Sequence, residues 1–240
     1  MNREIRKQKF LQTDLYPVTC ERHSAGRSNL EVLDAAIRGG AGIIQLREKE
    51  CTAGDLYRMA LRFREITLDA GMLLIINDHV DIALAVEADG VHLGQEDLPL
   101  AAARAIAPDL LIGISTHSRE EALKAQREGA DYVNIGPIFP TRTKEGVKRF
   151  LGPEAIAGIA AGLDIPFTVM GGITGANIDQ VLSQGARRVA VVTAVTMAGD
   201  IAGTIASLRE KIQLAPPPLT ENARFEERGR KRGVDFSTYK

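Results

Sequence analysis

Four charged residues in a row, Arg47, Glu48, Lys49 and Glu50, follow the apolar run "GIIQL" at 42–46. A charged turn after such a run is ordinarily a solvated loop. Arginine, however, offers a planar fork to phosphate oxygens and lysine a point charge. Arg47 and Lys49, two apart, together with Lys144 of "TRTK", could therefore surround a polyanion. Arg142 in the same run reads as solvated. Thr141 and Thr143 are neutral donors that could equally stabilise a turn. Asp78 and Asp97 follow neighbouring apolar runs. A few hard oxygen ligands suit Mg²⁺, which keeps several waters and shares its shell with substrate phosphates. The same two aspartates could instead serve as a helix N-cap and a turn residue. Gly171-Gly172, followed by "ITGAN", would let backbone N–H groups approach a second phosphate at a helix start. Among the histidines, His92 in "GVHLG" alternates with apolar neighbours and reads as an inward-facing packed residue, while His79 and His117 read as helix-start residues. The chain carries no Ser/His/Asp order, no metal-binding histidine pair and no P-loop.

These residues need a scaffold that brings them together. Eight short apolar runs, at 15–19, 42–46, 73–77, 90–93, 110–115, 131–136, 166–170 and 188–192, read as strands buried on both faces. Helix-like segments alternate with them. Ser28 and Glu31 stand in capping-box spacing, as do Ser118 and Glu121. Eight βα units in about 200 residues imply a single, closed, parallel (β/α)₈ barrel, a TIM barrel. An open doubly wound sheet is the structural alternative, but no G-x-G-x-x-G follows the first strand. Active sites of such barrels lie at the C-terminal ends of the strands. Seven of those ends are polar or glycine-rich: Gln45 with "REK", Asn77-Asp78, Gly94 to Asp97, Ser115, Gly136 to Lys144, Gly171-Gly172 and Thr193. Only Cys20-Glu21 gives no clue.

The whole chain of 240 residues carries a net charge of -1, so it has no general basic character for nucleic acid or anionic membranes, and any anion must be met by a local cluster. Two distant cysteines, Cys20 and Cys51, make neither a disulfide framework nor a metal knuckle, and suggest a reducing, cytoplasmic setting. "MNREIRKQKF" has no apolar stretch behind it, so a secretory signal is not expected, and no run approaches a membrane span. The expected organisation is a polar N-terminal extension at 1–14, the barrel at 15–214, and a proline-rich, charged tail at 215–240 with too little apolar surface to fold by itself.

"QLREK", "NDHVDIALAVEADGVHLGQED", "IGIS", "GPIFPTRTK", "GGIT" and the strand-8 "VVT" together resemble the thiamine-phosphate synthase (thiamine-phosphate pyrophosphorylase) family, over roughly residues 15–212. The resemblance implies a transferase of thiamine biosynthesis. It would join a hydroxymethylpyrimidine diphosphate to a thiazole phosphate, making thiamine phosphate and releasing pyrophosphate with Mg²⁺, through a dissociative, carbocation-like step. Gln45, Arg47, Lys49, Asn77, Ser115 and Lys144 would then meet the pyrimidine diphosphate, with Arg47, Lys49, Ser115 and Lys144 as the catalytic set. Asp78 and Asp97 would hold Mg²⁺. Thr141, Thr143, Gly172, Val192 and Thr193 would line the thiazole phosphate site. The implied partners are these two phosphorylated small molecules; a homo-oligomer remains compatible. Thr193 departs from the family's usual serine, Met170 replaces a smaller residue before the glycine pair, and the tail lies outside the pattern. A thiazole tautomerase of the related barrel family would keep the fold without the diphosphate and Mg²⁺ set. A non-catalytic phosphate-ligand sensor would not need seven equipped strand ends.

Overall fold

The structure, a computed structural model, describes residues 1–141, 143 and 149–216. Arg142, Lys144 and the expected tail from residue 217 onward lie outside the described residues. Among the described residues the strands are β1 (Leu15–Pro17), β2 (Ile43–Leu46), β3 (Leu73–Asn77), β4 (Gly90–Leu93), β5 (Leu111–Thr116), β6 (Tyr132–Ile135), β7 (Phe167–Val169) and β8 (Val189–Val191). Seven fall within a run expected from the sequence, and β5 runs one residue past its expected end, to Thr116. They pair in parallel in the order β1-β8-β7-β6-β5-β4-β3-β2. A bridge between Val18 and Gln45 joins the two ends of this order into a ring. The fold is therefore a (β/α)₈ barrel.

The connecting helices are α2 (Asn29–Arg38), α3 (Ala53–Asp69), α4 (Val80–Ala85), α5 (Leu100–Ile106), α6 (Arg119–Arg127), α7 (Ala155–Ala160), α8 (Ile178–Ser183) and the pair α9 (Thr193–Thr196) and α10 (Ile201–Leu214). Among the described residues, the starts of α2, α3, α6 and α10 carry a side-chain cap. Ser28 and Glu31 close a reciprocal capping box on α2. Thr52 and Ser118 accept from the amides of Asp55 and Glu121. Such caps satisfy amides that have no partner inside the helix.

Side chains alternate across each strand, and the two faces bury different things. One set, including Ile44, Leu46, Leu74, Ile76 and Val133, packs outward beneath the helices. The other, including Ile43, Leu73, Ile75, Leu111, Tyr16 and Tyr132, fills the barrel interior. The floor comes from the segment set apart as a polar extension. It folds into α1 (Arg3–Leu11), whose Phe10 is buried and stacks on Tyr132 with ring centroids 4.4 Å apart. Arg3 and Lys7 reach Asp131 at 2.8 and 3.3 Å, and Arg6 donates to the Asp109 carbonyl at 2.7 Å. Arg188 donates back to the Leu11 carbonyl at 2.6 Å. A lysine- and arginine-rich segment thus closes the barrel because buried carboxylates and carbonyls wait for it there.

Candidate active site

At the opposite, C-terminal end of the strands, every described residue expected at a site lines one cavity of about 170 Å³. On β2 and its extension, Gln45, Arg47 and Lys49 line it, two residues apart and so on one side of an extended chain. The intervening charges turn away. Glu48 accepts from the Glu21 amide at 2.7 Å and from Asn29 at 3.0 Å, and Glu50 pairs with Arg22. The run "REKE" is a strand-like alternation in which the cations face the cavity and the acids hold the neighbouring loop. The Arg47 amide is tied to Thr19 Oγ1 at 3.0 Å, which anchors the run to the end of β1.

After β3 the chain turns sharply. Asp78 sits in the left-handed region with φ 63°, uncommon for a residue with a side chain. Its amide donates to the His92 carbonyl at 2.9 Å, so the turn leans over β4. The N-cap of α4 is His79, with no side-chain capping bond, so Asp78 does not serve as the helix cap. Its Oδ2 lies 3.1 Å from Lys49 Nζ instead. Asp97, after β4, does take a turn role: it accepts from the Gly94 amide at 2.6 Å. Burial, and then the nearby Asp78 carboxylate, push the Asp97 carboxyl above its ordinary range, against the pull of the Gly94 amide and Lys49. The two carboxylates, with Lys49 paired to Asp78, make an oxygen-only pair suited to a hard cation. No cluster of three or more such side chains occurs among the described residues, so a cation here would keep positions for water or phosphate.

The other side of the cavity is built by β6 to β8. Gly171 and Gly172 have φ 107° and 62°, and a Cβ on Gly172 would collide with the Pro140 carbonyl and Phe139. The loop after β6, entered through a cis Gly136–Pro137 peptide, packs directly on this turn. Thr141 and Thr143 line the cavity, and Thr141 Oγ1 lies 3.2 Å from Thr143 Oγ1. Val192 and Thr193 reach it from the junction of β8 and α9. Lys144 lies outside the described residues.

Three further residues with polar side chains line the cavity without a forecast role in the chemistry. His92 faces inward as expected, and its ring nitrogens lie 3.1 Å from Tyr132 Oη and 2.9 Å from Ser115 Oγ. Asn134, on β6, accepts from Thr168 Oγ1 at 2.8 Å. His117 pairs with Glu121 at 3.0 Å through Nδ1. The available signal for Asn134 was a polar residue in the middle of the apolar run "DYVNIG".

A family model described as thiamine monophosphate synthase matches residues 15–195. Thiamine-phosphate synthase of Pelotomaculum thermopropionicum is 44% identical over 201 residues, which cover 83% of this chain and 92% of that protein. The enzyme of the same name from Chlorobium luteolum is 50% identical over 183 residues, covering 76% of this chain and 86% of its own. Among solved structures, thiamine phosphate pyrophosphorylase from Pyrococcus furiosus superposes with a TM-score of 0.78 at 37% identity, covering 86% of this chain and 97% of its own. A geranylgeranylglyceryl phosphate synthase from Thermoplasma acidophilum, at 15% identity and a TM-score of 0.63, shares the fold.

Proposed function

The chain belongs to the thiamine monophosphate synthase family, and from that membership we propose that it condenses a hydroxymethyl-aminopyrimidine diphosphate with a thiazole phosphate, yielding thiamine phosphate and pyrophosphate with Mg²⁺ as cofactor. It is a transferase acting on small phosphorylated molecules, and among the described residues no helix is long and apolar enough to cross a membrane. We assign the reaction to the cytoplasm. The observation that carries the reading is the interleaving of charge at one end of the cavity: Lys49 Nζ stands 3.1 Å from Asp78 Oδ2, beside Asp97 and Arg47. A diphosphate carrying a divalent cation needs both kinds of group at once.

In this reading Gln45, Asn77 and Ser115 hold the pyrimidine ring, while Arg47, Lys49 and Lys144 hold its diphosphate. The bond between the pyrimidine CH₂ and the leaving oxygen breaks first, its electron pair departing with the diphosphate. The amino-substituted ring spreads the resulting positive charge. Negative charge builds on the leaving oxygen, where Arg47 and Lys49 help most. Mg²⁺, held by Asp78 and Asp97, would add charge neutralisation on the diphosphate. Thr141, Thr143, Gly172, Val192 and Thr193 hold the thiazole phosphate, so that the ring nitrogen faces the electron-poor carbon and closes the new C–N bond. That nitrogen has a lone pair ready and needs no general base. The remaining task is to keep the two rings face to face.

The test is direct. Purified protein is incubated with both substrates and Mg²⁺, and thiamine phosphate and pyrophosphate are measured by chromatography. Formation of both in equal amounts, lost when either substrate is omitted, is expected. Intact substrates after prolonged incubation with a folded protein would reject the proposal.

A further inference from the structure

A chain of hydrogen bonds crosses the barrel interior below the cavity and joins two residues assigned to the pyrimidine. Gln45 Nε2 donates to Tyr16 Oη at 2.9 Å. The hydroxyls of Tyr16 and Tyr132 are 3.2 Å apart. Tyr132 Oη lies 3.1 Å from His92 Nδ1, and His92 Nε2 lies 2.9 Å from Ser115 Oγ. Gln45, His92 and Ser115 line the cavity. Tyr16 and Tyr132 lie beneath it, 2% and 0% exposed.

A hydroxyl has one hydrogen to give, and a neutral imidazole donates from one nitrogen and accepts at the other. Direction is therefore handed along the chain. Gln45 gives an N–H to Tyr16, the Tyr16 hydrogen goes to Tyr132, and the Tyr132 hydrogen goes to His92 Nδ1. His92 then carries its proton on Nε2 and donates to Ser115 Oγ. The Ser115 hydrogen is left for a ligand, and so is the carbonyl Oε1 of Gln45. Burial raises both phenols above the ordinary tyrosine range, which keeps each hydrogen in place. The Tyr132 ring is held by Phe10 below and fits where Gly113 carries no side chain.

We propose that Tyr16, Tyr132 and His92 are positioning residues that set the hydrogen-bond polarity of the pyrimidine site, with an acceptor at Gln45 and a donor at Ser115. This pattern complements the amino N–H and the ring nitrogen of an aminopyrimidine. A ring with a carbonyl in place of the amino group would set carbonyl against carbonyl at Gln45. The inference rests on the proposed function for the identity of its ligand; the polarity itself is a property of the protein alone.

Two measurements separate these. Tyr16→Phe, Tyr132→Phe and the double variant keep the packed rings and break the chain. Each single variant is expected to raise KM for the pyrimidine diphosphate roughly three- to tenfold, the loss of an ordinary hydrogen bond, with KM for the thiazole phosphate unchanged. One break interrupts the whole chain, so the double variant should be no worse than either single one. Equal rises in both KM values, or effects that multiply in the double variant, would overturn the proposal. Heteronuclear NMR of the histidine rings in ligand-free protein, with His92 identified by the signal lost in His92→Gln, is expected to show the Nε2–H tautomer. An Nδ1–H tautomer overturns the polarity even in an active enzyme. The Nε2–H tautomer in a protein that makes no thiamine phosphate would support the polarity while rejecting the reaction.

Discussion

Asp97→Asn separates a residue kept for a cation from one kept for the fold. Burial first, and then Asp78, disfavour negative charge on the Asp97 carboxyl. Asparagine keeps an oxygen for the Gly94 amide, which donates at 2.6 Å in the native turn, and removes the like charge. Relief of a partly exposed like-charge contact, screened by solvent, is on the order of 0.5–1 kcal/mol. For a domain of this size that is about 1–4 °C in Tm. Without metal the variant should therefore melt slightly above the wild type. With Mg²⁺ and pyrophosphate at a hundredfold their Kd the wild type should gain about 2.7 kcal/mol, about 5–11 °C, and the variant should lose most of that gain. Turnover at limiting Mg²⁺ should fall by about a hundredfold or more, as several kcal/mol of charge stabilisation at the leaving group disappear. Thermal melts with and without Mg²⁺ and pyrophosphate, alongside initial rates, read out all three. A variant that melts below the wild type without metal, yet keeps the metal-induced shift and a near-normal rate, would show that Asp97 serves the turn and not a cation.

Other expectations concern single contacts. Arg47→Ala or Lys49→Ala should each lower kcat/KM for the pyrimidine diphosphate about ten- to a hundredfold, the loss of a charge-assisted hydrogen bond; a rise in KM confined to the thiazole phosphate would reverse the assignment of the two ends of the cavity. Thr193→Ser should be nearly neutral in saturation kinetics, while Thr193→Val should weaken the thiazole phosphate about ten- to a hundredfold. Unchanged KM in the valine variant would mean that the hydroxyl points elsewhere. Arg6 is 6% exposed and bonded to the carbonyls of Asp109 and Ala88 and to Asp89. Arg6→Met should cost about 3 kcal/mol, lowering Tm by about 6–12 °C; an unchanged melting curve would show that α1 is not needed to close the floor.

The sequence by itself determined the architecture and the list of chemically equipped strand ends, because both are local. A run such as "LLIIN" reads as a strand buried on both faces without knowledge of its neighbours, and Ser28 with Glu31 announces a helix start within four residues. Eight such alternations leave few ways to close a parallel sheet, so the strand ends can be enumerated before any coordinate is known. The anion-binding reading of Arg47 and Lys49 followed from side-chain chemistry, and their common direction from spacing. Tertiary structure decided what depends on register between strands. Asp78 raises the Asp97 carboxyl only because β3 and β4 pair with Asn77 opposite His92. Tyr16 and Tyr132 stand 116 residues apart in the chain and meet because both point inward at one level of the barrel. Within their own runs they are aromatic residues among apolar ones, indistinguishable from ordinary core. Phe10 and Arg6 are hidden for the opposite reason. Their segment is polar by composition, and only a barrel floor lined with Asp89, Asp131 and the loop carbonyls of Ala88 and Asp109 makes its burial favourable. Composition reports what a segment can bury by itself; whether buried partners wait for its charges is a property of the assembled fold.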